Sequence, residues 1–432
     1  MTINIKNFLR FGERLSKMGD FQELKHIEGL QVSSVSANLY KNGREDLSLF
    51  YFPGGANYAA AYTQSSIVSE SINWNRENTK NNIKALVVNT KNANTFTGDQ
   101  GLNSLNEIAK KLIESLKSFE IENKYEKSKV KDLLFASTGV IGEKFPVEKI
   151  TNNIPNLVQN LRINQNKLIW LKMASAIMTT DTKPKVASSE IKIGDKIVRI
   201  SGIAKGSGMI APNLATMLSF IFTDADISSV ILNKYLSKVL SNTFNAITVD
   251  SDTSTNDMVA IFSTKKIKSK KLNIITSKEA LKFEKALSGV CLELAKQIVV
   301  DGEGAKKFVT IKIVNSESKE KAKNIAFSVA NSPLIKTAIA GEDPNWGRIL
   351  MGVGKSGEAV DPKKITIKLG EFIVAEKGKI SENYDEEKLK EYMEWDSILI
   401  TIDLKQGKEE FECYTCDFTH DYININAHYR RS

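Results

Sequence analysis

Thr216 stands where a glycine-rich loop enters an apolar run, almost at the midpoint of the 432-residue chain. Gly206 and Gly208 open backbone angles closed to other residues, and Pro212-Asn213 is turn chemistry. The run Met217-Leu218-Ser219-Phe220-Ile221-Phe222 has buried-strand character. Taken as local structure alone, Thr216 opens a strand. Taken as chemistry, its hydroxyl is a weak nucleophile until a base removes the proton. Histidine is a poor candidate for that base, because the chain holds only His26, His420 and His428. A second group lies at Thr138-Gly139, after the apolar run Leu133-Leu134-Phe135-Ala136. A threonine hydroxyl and a glycine amide are both donors, and glycine lets backbone come close to a developing negative charge.

The string Ala204-Lys205-Gly206-Ser207-Gly208-Met209-Ile210-Ala211-Pro212, continued by Leu214-Ala215-Thr216-Met217-Leu218, resembles the self-cleavage signature of the ornithine acetyltransferases. These are the glutamate N-acetyltransferases of the cyclic arginine pathway. The resemblance implies a cut between Ala215 and Thr216, begun by attack of the Thr216 hydroxyl on the Ala215 carbonyl. The freed Thr216 is then the nucleophile. Its new α-amine, with an ordinary pKa of ~8, can act as its base; in an uncut chain that nitrogen is an amide and cannot.

Other motifs carry the same resemblance. Thr138-Gly139-Val140-Ile141-Gly142 is similar to the family's oxyanion motif, which implies catalytic roles for Thr138 and Gly139. Thr179-Thr180-Asp181-Thr182 implies a substrate contact at Thr179, with Thr182 the alternative. Gly302-Glu303-Gly304-Ala305 implies that Glu303 pairs with the amino group of a bound amino acid. Lys205 and Asn426 join the substrate-binding set. Ser432 would supply a terminal hydroxyl, although Arg430-Arg431-Ser432 closes one residue later than the family pattern. The stretches 92–101, 245–257 and 342–348 also resemble family segments near the site.

The implied reaction moves an acetyl group from N2-acetylornithine to glutamate through an acetyl ester of Thr216. It needs no metal and no cofactor; acetyl-CoA as a further donor stays open. The rival reading is a self-cleaving aminopeptidase with water as acceptor. The implied partners are small-molecule substrates and the chain's own fragments, an alpha piece 1–215 and a beta piece 216–432. Two copies of each would form a heterotetramer.

The bulk numbers agree with an ordinary enzyme. Hydrophobic residues make up 41% and charged residues 26%, as in soluble globular proteins. No run nears 18 apolar residues and the start lacks a signal-peptide core, so no membrane span and a cytoplasmic location are expected. The net charge of +9 comes largely from scattered lysines. The densest cluster, Lys265 to Lys271, lacks interleaved aromatics and reads as a solvated turn rather than a nucleic-acid surface. Cys413 and Cys416 form a lone Cys-x-x-Cys with no second pair to complete a zinc site, and Cys291 reads as core.

The elements that must position these residues alternate in type. Strands are expected near 30–39, 49–52, 84–89, 132–137, 216–222, 308–314, 324–329, 364–369 and 397–404, with a hairpin over 191–204. Helices are expected from Leu102 to Phe119, from Val147 to Leu161 broken before Pro155, over 168–177 and 228–240, and after a Thr276–Glu279 capping box. Ser316–Lys323 reads as a charged hairpin, and the first strand after Leu49 as ending at Pro53-Gly54-Gly55. The pattern is α/β. The resemblance sharpens it to a layered sandwich of mixed β-sheets between helix layers, built from both cleaved fragments.

Overall fold

The computed structural model describes residues 23–79, 82–211 and 217–427. The chain begins with β1 (Gln31–Val35), β2 (Leu47–Tyr62), α1 (Glu70–Asn78), β3 (Asn82–Asn89), α2 (Gly98–Glu122), β4 (Leu133–Ser137), α3 (Val147–Gln159) and α4 (Lys167–Ala176). The hairpin β5 (Lys185–Ile193) and β6 (Lys196–Lys205) leads to β7 (Leu218–Ala225), α5 (Ser229–Leu240), β8 (Met258–Ile267) and α6 (Lys278–Val300). Together these strands form an eight-stranded mixed sheet, ordered β4-β3-β2-β8-β7-β6-β5, with β1 paired to β2.

That sheet is two layers sharing one strand. β2 does not stop at Pro53-Gly54-Gly55 as the turn residues suggest; it runs on through a register shift between Tyr51 and Ala56. Gly55 adopts φ +66 there, and a Cβ on it would lie 2.5 Å from Asn82 Nδ2. β2 pairs with β3 on both sides of this bulge as far as Asn57, and from Asn57 to Tyr62 it pairs with β8. The change of direction lays the rings of Phe50 and Phe52 on those of Phe222 and Phe262, with centroids 5.1 and 5.3 Å apart. Strand alternation sends Leu49, Val87 and Phe135 outward to α2 and α3, and Phe50, Val88 and Leu134 inward. The outer face of the other layer, including Val198, Ile221 and Ile261, packs on α5 and α6. Helix, sheet, sheet, helix is the layered α/β sandwich that the resemblance implies. Strands from both sides of residue 216 interleave within it, since β8 and β7 lie between β2 and β6.

The rest of the chain adds β9 (Phe308–Ser316), α7 (Lys319–Ala330), α8 (Pro333–Ala340), α9 (Trp346–Gly354), β10 (Thr366–Leu369), β11 (Phe372–Glu376), β12 (Lys379–Ile380), α10 (Glu386–Met393), β13 (Ser397–Asp403), β14 (Glu409–Cys416) and α11 (His420–Ala427). Its six-stranded sheet, ordered β12-β11-β10-β13-β9-β14, has its own apolar core with α7 to α10.

Four local expectations fail for physical reasons. Residues 324–329 are not a strand: Ala322, Ile325, Ala326 and Val329 are buried at helical spacing, and Ser318 caps α7 through the Lys321 amide. The charged stretch before them is the end of β9 and the first turns of α7, not a hairpin. α3 continues across Pro155, because burial of Ile150, Ile154, Leu157 and Val158 outweighs one missing hydrogen bond. The cap of α6 is Ser277, which accepts the Ala280 amide at 3.0 Å, rather than Thr276. Ala280 and Phe283 take the buried face there, and Leu281 is half exposed.

Candidate active site

The motifs converge at one end of the sandwich. β4 delivers Thr138 and Gly139, and the Thr138 amide donates to Asn89 O at 3.1 Å at the end of β3. Val140 N donates to Lys91 O at 3.0 Å, so both amides flanking Gly139 are committed. Gly139 sits at φ +134, and a Cβ there would lie 2.1 Å from the Lys91 carbonyl carbon. Only glycine fits this approach. Asn256, ahead of β8, closes the two layers at this end: its Nδ2 donates to Ala93 O at 2.6 Å and Ser137 O at 2.8 Å.

From the other layer, β6 brings Lys205 into register with Leu218, two residues beyond Thr216. Lys205 is buried, and its Nζ donates to Thr138 Oγ1 at 3.1 Å. The following turn meets the loop after α6, where Glu303 N donates to Ser207 O at 3.0 Å. A Cβ on Gly208 would lie 2.4 Å from Glu303 Oε2, so the glycine is what lets this carboxylate lie against the turn. Asn426, exposed on α11, donates from Nδ2 to Glu303 Oε2 at 2.8 Å. Thr179 lies after α4, its amide donating to Asp181 Oδ2 at 2.9 Å, while the Thr182 hydroxyl donates to Asp301.

The electrostatics are those of a dry site. Burial lowers the pKa of Lys205, and the Asp181 carboxylate partly offsets that. Burial works against ionised Asp181 as well, but the Lys185 and Lys205 ammoniums outweigh it and hold the carboxyl well below its usual range. Burial drives Asp257 well upward, opposed first by the Met217 amide and then by the Lys205 ammonium. Asp250, pushed up to about 6 by burial, accepts the Met209 and Ile210 amides at 2.7 and 2.9 Å and so holds the loop before Thr216.

The structure thus brings Thr138, Gly139, Lys205, Glu303 and Asn426 into one chain of contacts, with Thr179 joined through Asp181. The predicted site positions Ala215, Thr216 and Ser432 lie outside the described residues. The motif reading passed over Asp181, Lys185, Asp250, Asp257 and Asp301. Asp181 sits inside a quoted motif and Asp301 just before another, so proximity was their signal; Lys185 had none. Among the described residues no group of His, Cys, Asp and Glu is arranged to hold a metal ion, and no helix is long and apolar enough to cross a membrane. Cys413, Cys416 and Cys291 are all buried.

The fold is a layered α/β sandwich in which a buried hydroxyl at the end of one layer meets a buried lysine from the other. The ArgJ family profile matches residues 31–431. The arginine biosynthesis bifunctional protein ArgJ of Zymomonas mobilis is 42% identical over 410 residues, covering 94% of this chain and 96% of its own. The protein of the same name from Gluconobacter oxydans is 42% identical over 409 residues, covering 94% and 93%. A crystal structure of the ArgJ protein from Bacillus halodurans shares 37% identity, covers 49% of this chain and 99% of its own, and superposes with a TM-score of 0.46. The chain belongs to the ArgJ family, and with it to the acyltransferases.

Proposed function

We propose that this enzyme transfers the acetyl group of N2-acetylornithine to glutamate by way of an acetyl ester on Thr216. The observation that carries the reading is the pairing of Lys205 with Thr138, joined to Glu303 and Asn426 in a chain of the ArgJ family.

In the activating step the Thr216 hydroxyl attacks the Ala215 carbonyl and the Ala215–Thr216 C–N bond breaks. The nitrogen takes up the proton and becomes the α-amine, and water then opens the Ala215 ester. In transfer, that amine takes the Thr216 hydroxyl proton as its oxygen bonds to the acetyl carbon. The resulting oxyanion would be met by the Thr138 hydroxyl and the Gly139 amide. The C–N bond to ornithine breaks, and the ammonium of Thr216 returns its proton to the leaving amine. The amine of glutamate then attacks the ester and reverses the sequence.

Lys205 suits the α-carboxylate of either amino acid, and Glu303 with Asn426 suits an ammonium group. Thr179 is assigned the substrate contact, with Thr182, whose hydroxyl donates to Asp301, as the alternative. The buried lining matters, because water would otherwise hydrolyse the ester. Fragments 1–215 and 216–432 would stay associated through the interleaved strands, in the implied assembly of two copies each.

The test is an assay of purified protein with N2-acetylornithine as donor, with and without glutamate. Ornithine and N-acetylglutamate formed in equal amounts support the reading. Free acetate at the same rate with or without glutamate would replace it with a hydrolase, the aminopeptidase-like alternative. Acetyl-CoA offered in place of the donor decides the second activity.

A further inference from the structure

One buried ammonium ties together the pieces that carry the proposed substrate contacts. Lys185, on β5, donates to Asp181 Oδ1 at 2.8 Å and to Asp301 Oδ2 at 2.5 Å. Its side chain is 1% exposed, against 0% and 3% for the two carboxylates. Its remaining proton goes to Lys183 O at 3.0 Å, so all three donors are spent. A saturated ammonium has nothing to offer a substrate.

The groups it holds do. Asp181 also accepts the Gly206 amide at 2.6 Å, next to Lys205, and the Thr179 amide at 2.9 Å. Asp301 accepts the Thr182 amide at 3.0 Å and the Lys183 amide at 3.2 Å, while its carbonyl accepts the Ser207 hydroxyl at 2.7 Å. Ser207 O in turn holds the amide of Glu303. Thr179, Lys205 and Glu303 stand on three separate elements, and each is fixed to one of the two carboxylates or to its neighbour. The charged groups that face Lys205 are Asp181, Lys185, Asp257 and Glu303.

We propose that Lys185 is a positioning residue for acyl transfer, whose bridge between Asp181 and Asp301 sets the spacing of Thr179, Lys205 and Glu303. The inference rests on the transfer reading above. Without the ammonium, two buried carboxylates face one vacated position. Like charges at that range disfavour double ionisation, so one proton is retained until the pH rises through the pair's raised pKa. Above that pH both ionise, repel each other and part the elements they hold.

The variants are Lys185→Met and the double variant Lys185→Met with Asp301→Asn, assayed beside the native enzyme from about pH 5 to about pH 8. In Lys185→Met, kcat/KM for transfer relative to native enzyme falls as pH rises, reaching a loss of about 100-fold at the alkaline end, the scale of a misplaced catalytic geometry. The double variant leaves a single carboxylate and levels that slope. Thermal melting supplies a readout that needs no activity. In the native protein Asp181 is depressed, so its stabilisation is in place throughout this range; in Lys185→Met the raised pair loses stability as pH rises. The melting gap therefore widens with pH and narrows again in the double variant. A gap and an activity ratio that stay flat with pH overturn the proposal. Native enzyme that shows no transfer overturns the reaction instead, and the melting series still decides the role of Lys185.

Discussion

Lys205 Nζ stands 3.1 Å from Thr138 Oγ1, and both groups are buried. An ammonium can only donate, so the threonine oxygen accepts and its own proton is turned elsewhere. The lysine thus orients the hydroxyl as a donor while adding positive charge behind it. In a site screened from water such a prearranged donor stabilises a negative charge more than it could in solvent.

Thr138→Val keeps the shape and removes the donor. We expect kcat for transfer to fall about 10²–10³-fold with KM for either amino acid nearly unchanged. Steady-state kinetics at saturating donor would show it. A rise in KM alone would place Thr138 in binding rather than in charge stabilisation.

Gly139→Ala meets two obstacles together, a φ of +134 and backbone within 2.1 Å of the new Cβ. The strained conformation alone costs about 1–3 kcal/mol. A lowered melting temperature together with near-complete loss of transfer is expected. Full activity would mean that the Gly139 amide lies away from the reaction.

Asn426→Ala removes a partner of Glu303 from the exposed side of the site. KM should rise severalfold, and kcat should change less. An inhibition assay with ornithine should show the same weakening. Unchanged affinity would take α11 out of the binding surface.

Much of this site could be read before its geometry was known. Thr138, Gly139, Lys205 and Glu303 stand out through the family resemblance of their glycine-containing motifs, since Thr-Gly after a strand or Glu between glycines reads as a turn by itself. Gly139 and Gly208 are needed where backbone and carboxylate come close. The Lys185 bridge gives no such signal, since its carboxylates come from positions 181 and 301, and only the fold makes them neighbours. The same limit explains the failures at secondary-structure level. Ile325 to Val329 is a short apolar run that suits either a strand or a buried helix, and packing on β9 and β14 decides it. Pro53-Gly54-Gly55 reads as an end because turn residues usually mean one, whereas here they bend a strand shared by two layers.

Asp257 offers a test through pH. Its folded pKa lies well above the unfolded value, so the folded state retains a proton that the unfolded chain releases. Native stability then falls as pH rises from the ordinary carboxylate range. Asp257→Asn removes that dependence and should melt a few degrees above the native protein near neutral pH, with the gap shrinking toward acid. A gap constant with pH would mean that Asp257 is ionised in the fold.

The central claim is that Thr216 carries the acetyl group. Intact-mass spectrometry of the purified protein, before and after addition of N2-acetylornithine alone, tests it directly. We expect two fragments, one ending at Ala215 and one beginning at Thr216. The second should gain a single acetyl group with donor and lose it when glutamate is added. A single full-length mass that takes up no acetyl group would contradict the account.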